Sequence, residues 1–254
     1  MMRRVSDVAC VFQIHLARLR AEAGPFLLAA LVFPSVMYMF ANAVGGADGV
    51  ASADALHRVR FLAGSIVFSL SLSAVSWLGY LLLENRFTGR LKLFATLPLA
   101  PSSYVIGIVI FALAQAAIGT TSLFAIATAL GVRTAVNGAA GWGFLVAIIV
   151  LTVLCVCGVA VVIAARARSF SEGSLMTDAL GAGLVFLAPV YCAPESLPRA
   201  LEILSRVFPT TYAARGVRAT LAGGHAVGAD LLTLAVMAIV TLSVGFRVMR
   251  WRED

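Results

Sequence analysis

The chain has 254 residues, of which 61% are hydrophobic and 12% charged, where a soluble domain carries about 25% charged residues. With a mean hydropathy of +0.98 it has too little polar side chain to cover a water-soluble globule of this size, which excludes a soluble enzyme and a disordered tail alike. The +7 net charge, from 19 Lys and Arg against 12 Asp and Glu, reads as membrane orientation and not as nucleic-acid binding, because basic residues gather in cytoplasmic loops.

Along the chain, Arg3 and Arg4 are followed by Val5-Ser6-Asp7 and not by an apolar core, so the start reads as mature and retained, without a signal peptide. Within 1–22, Val5, Val8, Phe12, Leu16 and Leu19 share one helical face, and Arg4, Asp7, Arg18 and Glu22 lie mostly on the other. This predicts an amphipathic helix lying in the membrane interface. A spanning helix needs about 20 mostly apolar residues. Runs of that kind predict six spans at about 25–44, 61–83, 104–130, 140–165, 175–193 and 228–247. Backbone polar groups cannot stay open in lipid, and nothing alternates like a barrel strand, so the expected fold is an all-α integral membrane protein in one transmembrane domain. Pro34 and Pro189 fall inside spans and predict kinks.

Two pieces outside the spans carry more information. The loop 84–101 opens with Glu84, Arg86, Arg90 and Lys92, then continues as a short helix with Leu91, Phe94 and Leu97 on one face, until Pro98 stops it. Docking onto a partner and lying on the membrane surface are equally open from these residues alone. The segment 194–224 is divided by Pro194, Pro198 and Pro209. Leu197, Ala200, Leu201, Leu204, Val207 and Phe208 share a face, Pro209-Thr210-Thr211-Tyr212 makes a break, and Ala213–Ala222 forms a second short helix with Arg215 and Arg218. Two half-helices outside or dipping into the membrane follow, and they should pack on the other helices or line a path. With both termini inside, twelve basic residues fall in the cytoplasm and seven outside, which favours that orientation.

An interfacial helix, a loop helix between spans two and three, and a helical hairpin before span six, in that order, resemble the permease subunit of type-2 ABC exporters. The resemblance covers essentially the whole chain. It is carried by Glu84-Asn85-Arg86-Phe87-Thr88-Gly89-Arg90-Leu91 with Leu97-Pro98-Leu99, by Leu197-Pro198 through Phe208-Pro209-Thr210-Thr211-Tyr212 to Arg215, Arg218 and Leu221, and by Arg60-Phe61-Leu62-Ala63-Gly64. Arg90 and Lys92 stand where the family has Thr and Glu, which implies a more acidic surface on the partner. The resemblance implies a cytoplasmic coupling helix, with Glu84, Arg86, Gly89, Arg90, Leu91, Phe94, Leu97 and Pro98 meeting an ATPase. It implies an extracellular re-entrant hairpin marked by Pro198, Arg206, Pro209, Tyr212, Arg215 and Arg218. It implies two separate ATP-binding cassette subunits that hold the ATP and magnesium, and a second permease copy or relative across the pore. It places the chain in a bacterial inner membrane with a drug, lipid or glycolipid as cargo.

The chain has no phosphate-binding loop of its own, so it is expected to be non-catalytic and to bind no cofactor. Its three histidines show no metal spacing, and Cys155 and Cys157 point to opposite sides of one helix. Glu84 is expected to pair with a basic residue of the interfacial helix or of the ATPase. Asp178 is expected to favour a helix start and to pair with Arg166 or Arg168. Arg199, Arg206, Arg215 and Arg218 could attract an anionic headgroup. Two other classes stay in view: an ion-driven secondary transporter, which would favour more intramembrane charge, and a lipid-acting membrane enzyme, for which no catalytic constellation is visible.

Overall fold

The computed structural model describes residues 2–21, 23–46, 55–96, 101–191, 197–224 and 227–248. The readings made at Glu22, Leu97, Pro98, Pro194 and His225 lie outside these residues. Every regular element among the described residues is helical. They are α1 (Met2–Ala21), α2 (Ala23–Leu27), α3 (Phe33–Gly46), α4 (Ala55–Ser71), α5 (Leu78–Phe87), α6 (Arg90–Thr96), α7 (Pro101–Ala129), α8 (Gly138–Arg166), α9 (Phe170–Phe186), α10 (Arg199–Ser205), α11 (Pro209–Leu221) and α12 (Gly228–Val248).

Short π-helical turns at Leu28–Val32 and Leu72–Trp77 join α2 to α3 and α4 to α5, so each pair runs as one continuous helix. The first π turn lies just before Pro34. A proline lacks the N–H that the carbonyl four residues back would use, and its ring crowds that carbonyl, so a locally widened turn relieves both.

Among the described residues, four helices are long and apolar enough to cross a membrane: His57–Phe87, Ser102–Ala129, Gly138–Arg166 and Gly228–Val248. The chain is a multi-pass membrane protein. Its surface agrees: α12 keeps Leu234, Ala238 and Gly245 inside and turns Leu232, Val236, Ile239, Val240 and Val244 outward. The α2–α3 helix does the same with Leu28, Val32, Val36, Met39 and Phe40. In water each such side chain would forgo about 1.5–3 kcal/mol of burial, whereas lipid accepts it. The centre of the bundle is α4, whose residues from Leu62 to Ser71 are buried without a break. It packs against α3, α7 and α11, while α8 holds α12 on its other side.

Two expected boundaries move. The fifth span, expected over 175–193, is a helix from Phe170 to Phe186, and the chain then turns through Leu187–Val190. Pro189 therefore does not kink a span; it follows a helix that has already ended. The start is set by Ser169, whose side chain accepts the Glu172 N–H at 3.1 Å, while Glu172 accepts the Arg168 N–H at 2.9 Å. This is close to a capping box. In the hairpin, the second helix starts at Pro209 and not at Ala213, because proline suits the first helical position, where an N–H would lack a partner anyway.

Candidate functional site

Glu84 stands near the end of α5, just before the turn into α6. One carboxylate oxygen accepts from Arg18 Nη2 at 2.5 Å and the other from Arg90 Nη1 at 3.1 Å. A single carboxylate thus joins α1, α5 and α6. The Arg18, Glu84 and Arg90 side chains are 24%, 30% and 51% exposed, so each pair is worth only about 0.2–1 kcal/mol. What the pairs supply is alignment of three helices, more than stability.

The other side of α1 is held by α7. Val11 is buried, Phe12 meets Phe111 edge-on at 6.3 Å, and the His15 ring lies 6.5 Å from Tyr104 and 5.8 Å from Phe111. Gly107 permits this approach, since a Cβ there would sit 2.7 Å from Val11 Cγ1. The buried stripe of α1 runs through Val11 and His15, so it is rotated from the apolar face expected of Val5, Val8, Phe12, Leu16 and Leu19. Arg18, expected on the polar face, turns inward to Glu84. Burial, and after it the Arg18 charge, pushes the His15 pKa down to about 4, so its imidazole is neutral at pH 7.

Between α5 and α6 the chain reverses through Thr88 and Gly89. Gly89 has a φ of +76°, which would cost an L side chain about 1–2 kcal/mol. Its carbonyl accepts the N–H groups of Lys92 and Leu93 at 3.0 and 3.2 Å. Asn85 donates to Tyr104 Oη at 2.9 Å, and the Phe94 ring lies 5.4 Å from that of Tyr104. Leu91 and Phe94 therefore pack onto the protein's own core. This corrects the expectation that they form the exposed docking face. The outward residues are Phe87, Arg90, Lys92, Leu93 and Thr96, and Leu93 is 63% exposed. Leu91 and Leu93 are two residues apart on a helix, so burying one presents the other.

Arg86, also expected to face outward, points into the bundle. Its Nη1 donates to the carbonyls of Ala164 and Ala167 at 2.7 and 2.8 Å, and its guanidinium lies 5.3 Å from the centre of the Phe87 ring. These carbonyls close α8, where unpaired acceptors and the negative end of the helix dipole favour a cation. Arg86 locks α5 to the end of α8.

At the opposite end, Pro198 precedes α10 and Pro209 opens α11. Thr210 Oγ1 donates to the Leu184 carbonyl at 2.5 Å, Thr211 Oγ1 to that of Ser205 at 2.6 Å, and Tyr212 Oη to that of Arg206 at 2.9 Å. The expected break at Pro-Thr-Thr-Tyr is instead the first turn of α11, whose hydroxyls tie the hairpin together. Arg215 Nε reaches the two Asp230 oxygens at 2.9 and 3.0 Å, Nη2 adds a third contact, and the guanidinium lies 5.5 Å from the centre of the Tyr212 ring. The hydrogen bond to Asp230 raises the Arg215 pKa further, so the guanidinium stays charged. Arg218 donates to the carbonyls of Pro189 and Val190. Arg215 and Arg218 thus serve the fold, Arg215 with its side chain still 56% exposed, while Arg206 pairs with Glu202 at 2.8 Å and, like Arg199, is exposed. The apolar face of α10, expected to pack on the bundle, leaves Leu201, Leu204 and Val207 exposed.

Asp178 lies in the middle of α9, not at its start, and accepts from Tyr80 Oη at 2.6 Å. Tyr80 thus takes the place expected of Arg166 or Arg168. Among the described residues no group of His, Cys, Asp and Glu is arranged to hold a metal ion.

The sequence profile of the family described as ABC-2 type transporter matches residues 10–222. This span takes in most of α1, the α5–α6 corner, both hairpin helices and everything between them. No curated protein matches the chain. The chain belongs to the ABC-2 type transporter family.

Proposed function

We propose that this ABC-2 transporter chain is the membrane permease subunit of an ATP-driven exporter. In this reading it forms a translocation path with a second copy or a related permease, and two separate ATP-binding subunits drive it. It crosses a bacterial inner membrane six times with both termini in the cytoplasm, the α2–α3 helix and α9 supplying the spans additional to the four long helices. The cargo is a hydrophobic or amphipathic molecule.

The observation that carries this reading is the Glu84 junction, in which one carboxylate holds α1, α5 and α6 together. A push on α6 passes through it to the interfacial helix and to the second span at once. The surface that would receive the push is Phe87, Arg90, Lys92, Leu93 and Thr96, which is basic with an apolar centre at Leu93 and suits an acidic groove on the ATPase. The runner-up, an ion-driven transporter, has one carboxylate in its favour, Asp178 in the middle of α9, whereas α7 carries no charged residue and α8 carries none before Arg166.

The test is to express the chain with a candidate ATP-binding subunit encoded next to it, reconstitute the assembly and measure ATP turnover. A stable complex whose turnover depends on this chain is expected, and Leu93→Asp should disrupt it. A chain that binds no ATPase and transports on an ion gradient alone would overturn the reading.

A further inference from the structure

At the end of the bundle away from α6, a cavity of about 330 Å³ opens between the end of α3, the start of α4 and the turn after α7. Its polar lining is Tyr38, Asn42, His57 and Arg58. Among the described residues it has no carboxylate.

Two polar atoms of this wall are buried. Tyr38 is 0% exposed, with the Asn42 side chain beside its hydroxyl, and His57 Nε2 is buried and without a partner. Buried groups of this kind are nearly always satisfied in proteins, so the unmatched nitrogen beside this cavity points to a missing ligand. The His57 ring is fixed edge-on to Phe61 with 4.6 Å between centres. Asn42 is steadied by donating to the Tyr38 backbone carbonyl at 2.8 Å. His57 and Arg58 belong to the first turn of α4, whose positive dipole end favours an anion.

The remaining wall is apolar and includes Met39 and Leu130. On the same helix as Met39, Val36 and Phe40 are also exposed. A small inorganic anion would use only half of such a site.

We propose that this cavity binds the anionic head, phosphate or carboxylate, of an amphipathic molecule. Arg58 and His57 meet the charge, Tyr38 donates its hydroxyl, and the Met39–Leu130 wall takes the start of the tail. The site goes beyond the exporter reading, because it is complete on one chain and needs no ATP-binding partner. An ATPase that failed to bind would leave it untouched.

The test is a scintillation-proximity assay on the full chain, immobilised in dodecyl maltoside, with radiolabelled dodecyl phosphate as probe. Saturable binding of one probe per chain is expected. Arg58→Gln should weaken it about tenfold, the loss of one charged hydrogen bond. Tyr38→Phe, which keeps the ring and its packing, should weaken it about fivefold. Arg199→Gln, on the exposed hairpin, should leave it unchanged. Competition by inorganic phosphate separates the two sources of the same chemistry. Displacement at equal concentration upholds the anion site with a free anion as occupant, and resistance to displacement upholds it with a lipid-like one. Non-saturable binding, or saturable binding that both cavity variants leave intact, overturns the proposal.

Discussion

Gly158 lies at a close crossing of α8 and α12. A Cβ added there would lie 2.6 Å from the Thr241 carbonyl carbon and 2.7 Å from the Leu242 nitrogen. Carbon atoms in contact need about 3.5 Å, so α8 and α12 would have to part by about 1 Å. The obstructing atoms are backbone and cannot rotate away as a side chain would. Gly245 narrows the same crossing, since its own Cβ would come 3.2 Å from the Gly158 carbonyl oxygen. Small residues that let helix backbones meet are the usual means of association in lipid, where no hydrophobic drive separates protein from solvent. Overpacking costs about 1–3 kcal/mol, and the helical preference of Ala over Gly returns about 1 kcal/mol, leaving Gly158→Ala destabilised by up to about 2 kcal/mol. Gly158→Val should be worse, because it adds two further carbons. At Gly143, on the same helix, an added Cβ would meet nothing within 4 Å, so Gly143→Ala should be neutral or slightly stabilising. Unfolding of each variant in mixed detergent micelles by SDS titration, followed by circular dichroism, measures the difference. Equal midpoints for Gly158→Ala and Gly143→Ala would refute the close crossing.

Three further outcomes follow from named contacts. Arg86→Gln removes the charged donor from the end of α8 and should cost about 2 kcal/mol in the same titration; an unchanged midpoint would show that those carbonyls find water instead. Acid should loosen α1 from α7. The His15 pKa is lowered from 6.5 to about 4 in the folded protein, so the unfolded chain binds the extra proton first. Stability is then complete above pH 6.5 and declines as pH falls toward 4, by up to about 3 kcal/mol. His15→Phe should remove that component, and a pH profile identical to the parent's would count against it. Finally, a double-mutant cycle on Glu84→Gln and Arg18→Gln should return a coupling of about 0.2–1 kcal/mol in stability, while ATP turnover coupled to export falls severalfold. Full coupling in either single variant would deny the junction its transmitting role.

The parts legible in the sequence were those with a long or a chemically specific signal. Uncharged runs such as 104–130 and 140–165 marked helices that the structure places at Pro101–Ala129 and Gly138–Arg166. The Glu84 pairing was legible because an interfacial helix rich in Arg precedes a loop that begins with a carboxylate. The start of α9 was missed although its signal was present. Ser169 followed three residues later by Glu172 is a capping pattern, and reading Asp178 as the helix-start charge obscured it. His15 was set aside because it had no metal spacing, yet its place four residues beyond Val11 on α1 puts both on the face that meets α7.

Composition and periodicity by themselves determined that this protein lives in a membrane, that it is helical, and where most helices lie. These follow from the cost of exposing apolar side chains to water and open backbone groups to lipid, and that cost is summed along the chain. Only the tertiary structure decided which side of each amphipathic piece is covered, and by what. Phe94 turns inward because Tyr104, ten residues away, offers its ring a surface, and Arg215, though its side chain stays 56% exposed, is tied to the next helix because the buried Asp230 begins it. A helical stripe shows that a face is apolar, but the neighbour that covers it is set by long-range packing, which no local spacing encodes.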